Sequence, residues 1–407
     1  MALAQAGLAT WKLIRQRRTD FAWAAMAMAC RLAPLSAVPV LLRFSPTRDV
    51  DDFALVLTDA AILSAIVGLS QGMAVQAAAS DARATRIAAI SSIVTILAGV
   101  LLVVQPWRPY EDKSRWLLSV GLGVCIALTP SGQSLARRSG NIQRATKVDA
   151  LRLMAFALGL MVLLLLGALN TTAMVVLLGI FYASPIALWV AWREAILGRS
   201  LAWKEWASAT SQMVILTIAG VLSLWAWMSI RYGLESASSP GDLSRFVAIQ
   251  SVASVVVLFG DLILFRLGST VVASARNRDA PEIKVQGIRF AWMSASIGAL
   301  SCILVATYIC WQFPSDVHVS LLAGLIIVVG YSIRNGYAFV QQVLLGLGSS
   351  TIDLVGAILM SLCALTLTQP LVRAFGLSGA ATAFGLIAAV NLLTFYGGAH
   401  LLWRRAR

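Results

Sequence analysis

Five ionisable residues sit inside long apolar runs of this chain: Arg31, Asp59, Asp261, Arg266 and Arg334. A charge held in hydrocarbon costs roughly 2.5–3.5 kcal/mol near a helix centre, so such residues face a partner or a wet interior. Guanidinium matches phosphate oxygens in bidentate geometry, so three arginines against two aspartates suit an anionic ligand. Arg31, Arg266 and Arg334 are therefore the substrate-binding candidates, and Asp59 and Asp261 the candidates for coupling or gating. Asp261 and Arg266 lie five residues apart and point about 140° from each other on a helix, so each needs a partner elsewhere. Asp59 is near one surface, where Arg43 or Arg48 would neutralise it. Arg31 is followed by Pro34 and Pro39, each of which frees a helical carbonyl. A broken first helix with a central cation suits a substrate site, and pairing of Arg31 with Asp59 or Asp261 is the structural alternative.

The elements that position these residues are apolar throughout. Apolar residues make up 59% of the 407 positions and charged ones 12%, about half the charge of a soluble domain. A soluble enzyme, a disordered tail and a nucleic-acid-binding domain are excluded despite the net charge of +14. Apolar runs long enough to cross a bilayer, about 20 residues, fall at 20–42, 53–75, 86–105, 115–136, 148–168, 171–192, 206–229, 244–272, 287–310, 317–342, 350–372 and 377–403. The expected fold is all-α, a polytopic transmembrane bundle of about 12 helices in two six-helix lobes around a central cavity. The lobes are expected at 1–200 and 201–407. Asn170-Thr171-Thr172 predicts a tight hairpin between the fifth and sixth spans.

Two echoes suggest that the halves are duplicates. Gln133-to-Gly140 after the fourth span resembles Gln341-to-Gly348 after the tenth, and Phe53-Ala54 resembles Phe246-Val247. Such repeats are common in secondary transporters.

Basic residues collect on the cytoplasmic side of a membrane protein. One set of loops holds Arg15, Arg17 and Arg18, the Arg137-to-Arg152 group, the Arg276-to-Arg289 group, and Arg404, Arg405 and Arg407. The other holds only Arg43, Arg48, Arg108, Lys113, Arg115, Arg231, Arg245 and Arg373. Both termini are expected in the cytoplasm of a cell whose inner membrane the chain spans many times. The surplus charge also attracts anionic lipid headgroups.

Enzymatic chemistry finds few residues to work with. The sequence has no Gly-x-x-x-x-Gly-Lys-Ser/Thr phosphate loop. Its two histidines lie away from any span centre, His318 near an outer loop and His400 near the C-terminus, and its five cysteines lack metal-ligand spacing. Asp49, Asp51 and Asp52 form the best acidic cluster, the kind that serves membrane glycosyltransferases, but their loop is short and reads as a solvated turn.

Several segments resemble Wzx-type oligosaccharide flippases. They are Val38-Pro39-Val40-Leu41-Leu42-Arg43 leading to Phe53-Ala54-Leu55, Gly68-Leu69-Ser70-Gln71-Gly72, the loops Gln133-to-Gly140 and Val343-to-Gly348, and Gly376-Leu377-Ser378-Gly379-Ala380-Ala381. That family belongs to the multidrug/oligosaccharidyl-lipid/polysaccharide exporter superfamily. The resemblance implies alternating access in two six-helix lobes and transfer of an undecaprenyl-pyrophosphate-linked oligosaccharide between leaflets. It implies a lipid-linked anionic glycan, membrane lipids and polysaccharide assembly proteins as partners, no nucleic acid, and no cofactor beyond an H+ or Na+ gradient. A drug or small-solute exporter and a glycosyltransferase are the rival readings. Drug extrusion favours an anionic interior, which the arginine count opposes.

Overall fold

The computed structural model describes residues 34–68, 81–104, 113–138, 142–183, 203–237, 239–347 and 351–405. For a few helical stretches and for Arg266 it describes the backbone alone. Arg31 lies outside the described residues. The helices are α1 (Pro34–Phe44), α2 (Thr47–Gly68), α3 (Asp81–Val104), α4 (Lys113–Arg138), α5 (Ile142–Leu165) and α6 (Thr171–Tyr182). They continue with α7 (Trp203–Ala237), α8 (Asp242–Ala253), α9 (Val255–Arg276), α10 (Ala280–Gln312), α11 (Val317–Gly346) and α12 (Thr351–Arg405). The described residues contain no strand, and the fold is the expected all-α bundle.

Within the described residues, five segments are long and apolar enough to cross a membrane: Ala84–Val104, Asp242–Leu264, Ala280–Gln312, Pro314–Gly346 and Thr351–Arg404. Their outward faces carry bulky apolar side chains, such as Leu101, Trp292, Ile303 and Leu393, all more than half exposed. Exposed apolar surface of this extent suits lipid contact.

Local sequence sets the boundaries. Asn170 caps α6 by accepting the Ala173 N–H at 2.9 Å, and Gly167 turns the preceding loop with φ 60°. The hairpin expected from Asn170-Thr171-Thr172 is thus present. Pro240-Gly241 ends the run after α7, with Gly241 at φ 90°. In α12 the residue Gly376 adopts φ 51°, ψ −126°, a region that side chains rarely enter. A Cβ on Gly379 would stand 1.9 Å from the Leu371 carbonyl oxygen. In a straight helix those residues would be roughly 12 Å apart, so the chain doubles back at Gly376. The two expected spans 350–372 and 377–403 are the two arms of this turn.

The span expected at 244–272 is divided into α8 and α9 at Ser254, where the backbone stays in the right-handed helical region with φ −62° and ψ −12°, and the apolar segment Asp242–Leu264 runs through it. There Ser251 and Ser254 hydroxyls donate to the Val247 and Ser251 carbonyls at 2.7 and 2.6 Å. Two expectations need correction. The first helix was expected to break at its prolines, yet Pro39 sits within a continuous α1, while the part of that span before Pro34 lies outside the described residues. The acidic trio is not a solvated loop, because Asp49, Asp51 and Asp52 occupy the first turns of α2.

One large core cluster joins both halves of the chain, and Phe53 and Phe246 are fully buried within it. The halves meet where α7 packs on α2 and α3 and where α8 packs on α2.

Candidate functional site

The meeting of α2, α4, α7 and α8 buries a chain of polar groups. Asp59 of α2 is 3% exposed. Its Oδ1 accepts the Tyr232 hydroxyl at 2.5 Å, and its Oδ2 faces Arg115 Nε at 3.3 Å and the Ser119 hydroxyl at 3.4 Å. Arg115 also reaches Glu235 at 3.3 Å. A buried carboxylate demands such company, since its desolvation is repaid only by charge and several hydrogen bonds. Asp59 therefore pairs with Arg115, not with Arg43 or Arg48 as the sequence suggested. The helical register explains the switch: Arg115 lies in the first turn of a helix that starts at Lys113 and packs along α2.

One residue earlier on both helices, Arg231 of α7 donates to Thr58 Oγ1 at 3.1 Å and to Gln250 Oε1 at 2.8 Å. Its Nε is buried without a partner. Arg231 forms no salt bridge with a carboxylate among the described residues. The sequence placed both Arg115 and Arg231 in loops, because each lies where the apolar run stops. The missed signal was the lack of a proline before Pro240: nothing ends α7 at residue 229, and it runs on to Ala237.

A second cluster lies deeper along α11. Asn335 donates to the Val256 carbonyl at 2.9 Å and contacts Ser294 at 3.4 Å. A Cβ on Gly260 would meet Asn335 Oδ1 at 2.4 Å, so α9 and α11 cross almost backbone to side chain. That crossing sets the next residues, Asp261 and Arg334, within electrostatic reach of each other, with the Tyr337 phenol beside Arg334. Asp261 thus has a cation on another helix within electrostatic range, as the sequence argument required. Arg266 falls on α9, two turns beyond the crossing.

Aromatic packing connects the two clusters. Phe384 of α12 lies between Trp227 of α7 and Tyr331 of α11, with ring centroids 4.7 and 4.9 Å away. Trp227 precedes Arg231 by four residues and Tyr331 precedes Arg334 by three, so each cation stands one turn from a fixed ring. Tyr331 lies beside Gln250 and within reach of both guanidiniums. Thr58, Arg231 and Gln250 are thus joined by hydrogen bonds, and Tyr331, Arg334 and Asp261 follow within electrostatic range. The group holds two cations and one anion.

At the end of the bundle bearing the α1–α2 and α7–α8 turns, Asp51 ties the halves together. Its carboxylate accepts the Ser244 N–H at 2.8 Å and the Gly241 N–H at 3.2 Å. It caps α8 from across the seam, where the helix dipole favours an anion.

No protein-family model matches the chain, and no curated protein matches it in sequence. Its architecture does match solved structures. A MATE transporter in complex with MaL6 aligns with a TM-score of 0.65 and 12% identity over 94% of this chain and 96% of that one. The lipid II flippase MurJ, in an inward closed conformation, aligns with a TM-score of 0.65 and 11% identity over 92% of this chain and 87% of that one. A MOP-superfamily transporter from Pyrococcus furiosus, described as having a binding pocket of reverse polarity, aligns with a TM-score of 0.62 and 12% identity over 96% and 94%. The chain has the fold shared by the MATE and MurJ transporters of the MOP superfamily.

Proposed function

We propose that this protein is a flippase that moves an undecaprenyl-pyrophosphate-linked oligosaccharide across a bacterial inner membrane by alternating access, for surface polysaccharide assembly. The observation that carries the reading is the charge of the buried polar groups: Arg231 meets no carboxylate among the described residues, and Arg334 has Asp261 within electrostatic range. A pyrophosphate diester supplies the missing negative charge in the geometry that guanidinium prefers. Arg31, Arg266 and Arg334 remain the proposed pyrophosphate contacts, with Asp59 and Asp261 as coupling or gating carboxylates. The membrane lipids and assembly proteins are its proposed partners, an H+ or Na+ gradient its energy source, and both termini face the cytoplasm.

A second reading, export of a smaller solute, has the MATE neighbours in its favour. The Pyrococcus neighbour shows that pocket polarity differs within this fold, so the sign of the interior charge is the property to test. Complementation of a strain lacking its own oligosaccharide flippase discriminates the two. Wild-type protein restores surface polysaccharide, whereas Arg31→Ala and Arg334→Ala fail at equal membrane abundance. Restoration by neither wild type nor variants, with drug resistance conferred instead, overturns the flippase reading.

A further inference from the structure

We infer that Arg231, which lies outside the set of arginines singled out above, is the anion-sensing element of the transport path: an oxyanion of the phosphate class bound between Arg231 and Arg334 draws Arg231 off Thr58 and unlocks the seam between the chain halves. The inference deepens the proposed function and rests on its anionic substrate.

The state of the Arg231 side chain is the first reason. A guanidinium has five N–H donors, and here neutral oxygens of Thr58 and Gln250 take two of them while the buried Nε has none. A cation so deep in an apolar bundle is costly without an anion. The arrangement stores an affinity that an incoming oxyanion satisfies.

The second reason is placement. Arg231, Tyr331, Arg334 and Asp261 all lie within the bundle and are half-buried rather than fully enclosed. Tyr331 is fixed by Phe384 and lies within electrostatic range of both guanidiniums. A phosphate beside the Tyr331 hydroxyl is within range of both arginines and of one phenolic donor.

The third reason is what Arg231 holds. Thr58 belongs to α2 and Gln250 to α8, and Arg231 bridges them from α7. The neighbouring bond from Tyr232 to Asp59 crosses the same seam. Thr58 Oγ1 has an alternative, its hydrogen bond to the Ala54 carbonyl at 2.7 Å, so losing Arg231 leaves no orphaned donor on α2. Departure of the guanidinium toward an anion thus removes one cross-seam tie at little cost to α2. Substrate engagement and opening are then a single event, as a ligand-driven shift between two states requires.

Purified full-length protein in detergent tests this with inorganic pyrophosphate and, separately, polyprenyl pyrophosphate in mixed micelles. Binding is read by ligand-induced thermal stabilisation. Wild type binds, Arg231→Gln binds about tenfold or more weakly, and Arg231→Lys recovers part of the affinity. Stabilisation by both probes identifies the phosphate group as the ligand, and stabilisation by the polyprenyl form alone assigns it to the lipid headgroup. Spin labels on Arg48→Cys and Ser239→Cys, both exposed at the seam, in a background lacking native cysteines report opening. Pyrophosphate lengthens their separation in the Arg231-containing protein and leaves it unchanged in Arg231→Gln. Equal pyrophosphate affinity in wild type and folded Arg231→Gln overturns the inference, as does a ligand-induced distance change that persists in Arg231→Gln. Neither result bears on whether the wild type moves a lipid-linked glycan, which the complementation experiment decides separately.

Discussion

Gly260 and Asn335 touch where α9 crosses α11: a Cβ on Gly260 would stand 2.4 Å from Asn335 Oδ1. Only glycine permits this approach, and the approach brings Asp261 to Arg334. Gly260→Ala is therefore expected to destabilise the protein by about 1–3 kcal/mol through overpacking. It should also weaken transport by moving Asp261 away from Arg334. Thermal unfolding in detergent checks the first effect, and a melting temperature equal to wild type would show that the helices have room to spare.

The buried Asp59 cluster makes a second prediction. Asp59→Asn leaves Arg115 without its buried anion, and Arg115→Met leaves Asp59 without its cation, each costing about 3–5 kcal/mol. The double variant removes both charges and should be less damaged than the sum of the singles. A double-mutant cycle on unfolding midpoints measures the coupling. Additive effects would mean that the 3.3 Å contact contributes nothing beyond its separate parts.

Asp51 makes a third. Its carboxylate caps α8 from α2, and loss of such a cap typically costs about 1 kcal/mol. Asp51→Ala should loosen the seam at that end. A cysteine placed at the fully buried Ala54 then reacts severalfold faster with a membrane-impermeant maleimide. Unchanged reactivity would show that the seam is held elsewhere.

Gly376 makes a fourth. With φ 51° and ψ −126°, a side chain there costs about 1–3 kcal/mol. Gly376→Ala should lower the unfolding temperature, while Gly220→Ala, where an added Cβ meets nothing within 4 Å, should leave it unchanged or raise it. The pair separates backbone strain from a general effect of losing glycine.

The helical architecture was legible because apolar runs of spanning length leave few alternatives, and Asn170 and Gly376 mark their turns without ambiguity. The charged path was only half legible. Asp261 and Arg334 stand out as charges in apolar sequence, but their pairing depends on Gly260 and Asn335 meeting 75 residues apart, a crossing no local pattern encodes. Arg115 and Arg231 were misplaced for a simpler reason. A hydropathy reading ends a span at its first charge, whereas a helix ends where its backbone is stopped. Asp59 was recognised as a charge in an apolar run near one surface, yet its partner came from α4 because packing, not sequence distance, decides which cation is near. Arg31 is beyond the described residues, and its role rests on sequence alone.

The most direct test of the central claim is translocation by purified protein in proteoliposomes. A fluorescent polyprenyl-pyrophosphate oligosaccharide is placed in one leaflet, and its arrival in the other is read by quenching from an impermeant reagent. Wild type is predicted to move it, Arg334→Ala and Arg31→Ala to lose that movement, and an uncharged polyprenyl glycoside of the same sugar not to be carried. Equal transport of the charged and uncharged lipids, or full activity in Arg334→Ala, would contradict a path built around phosphate recognition.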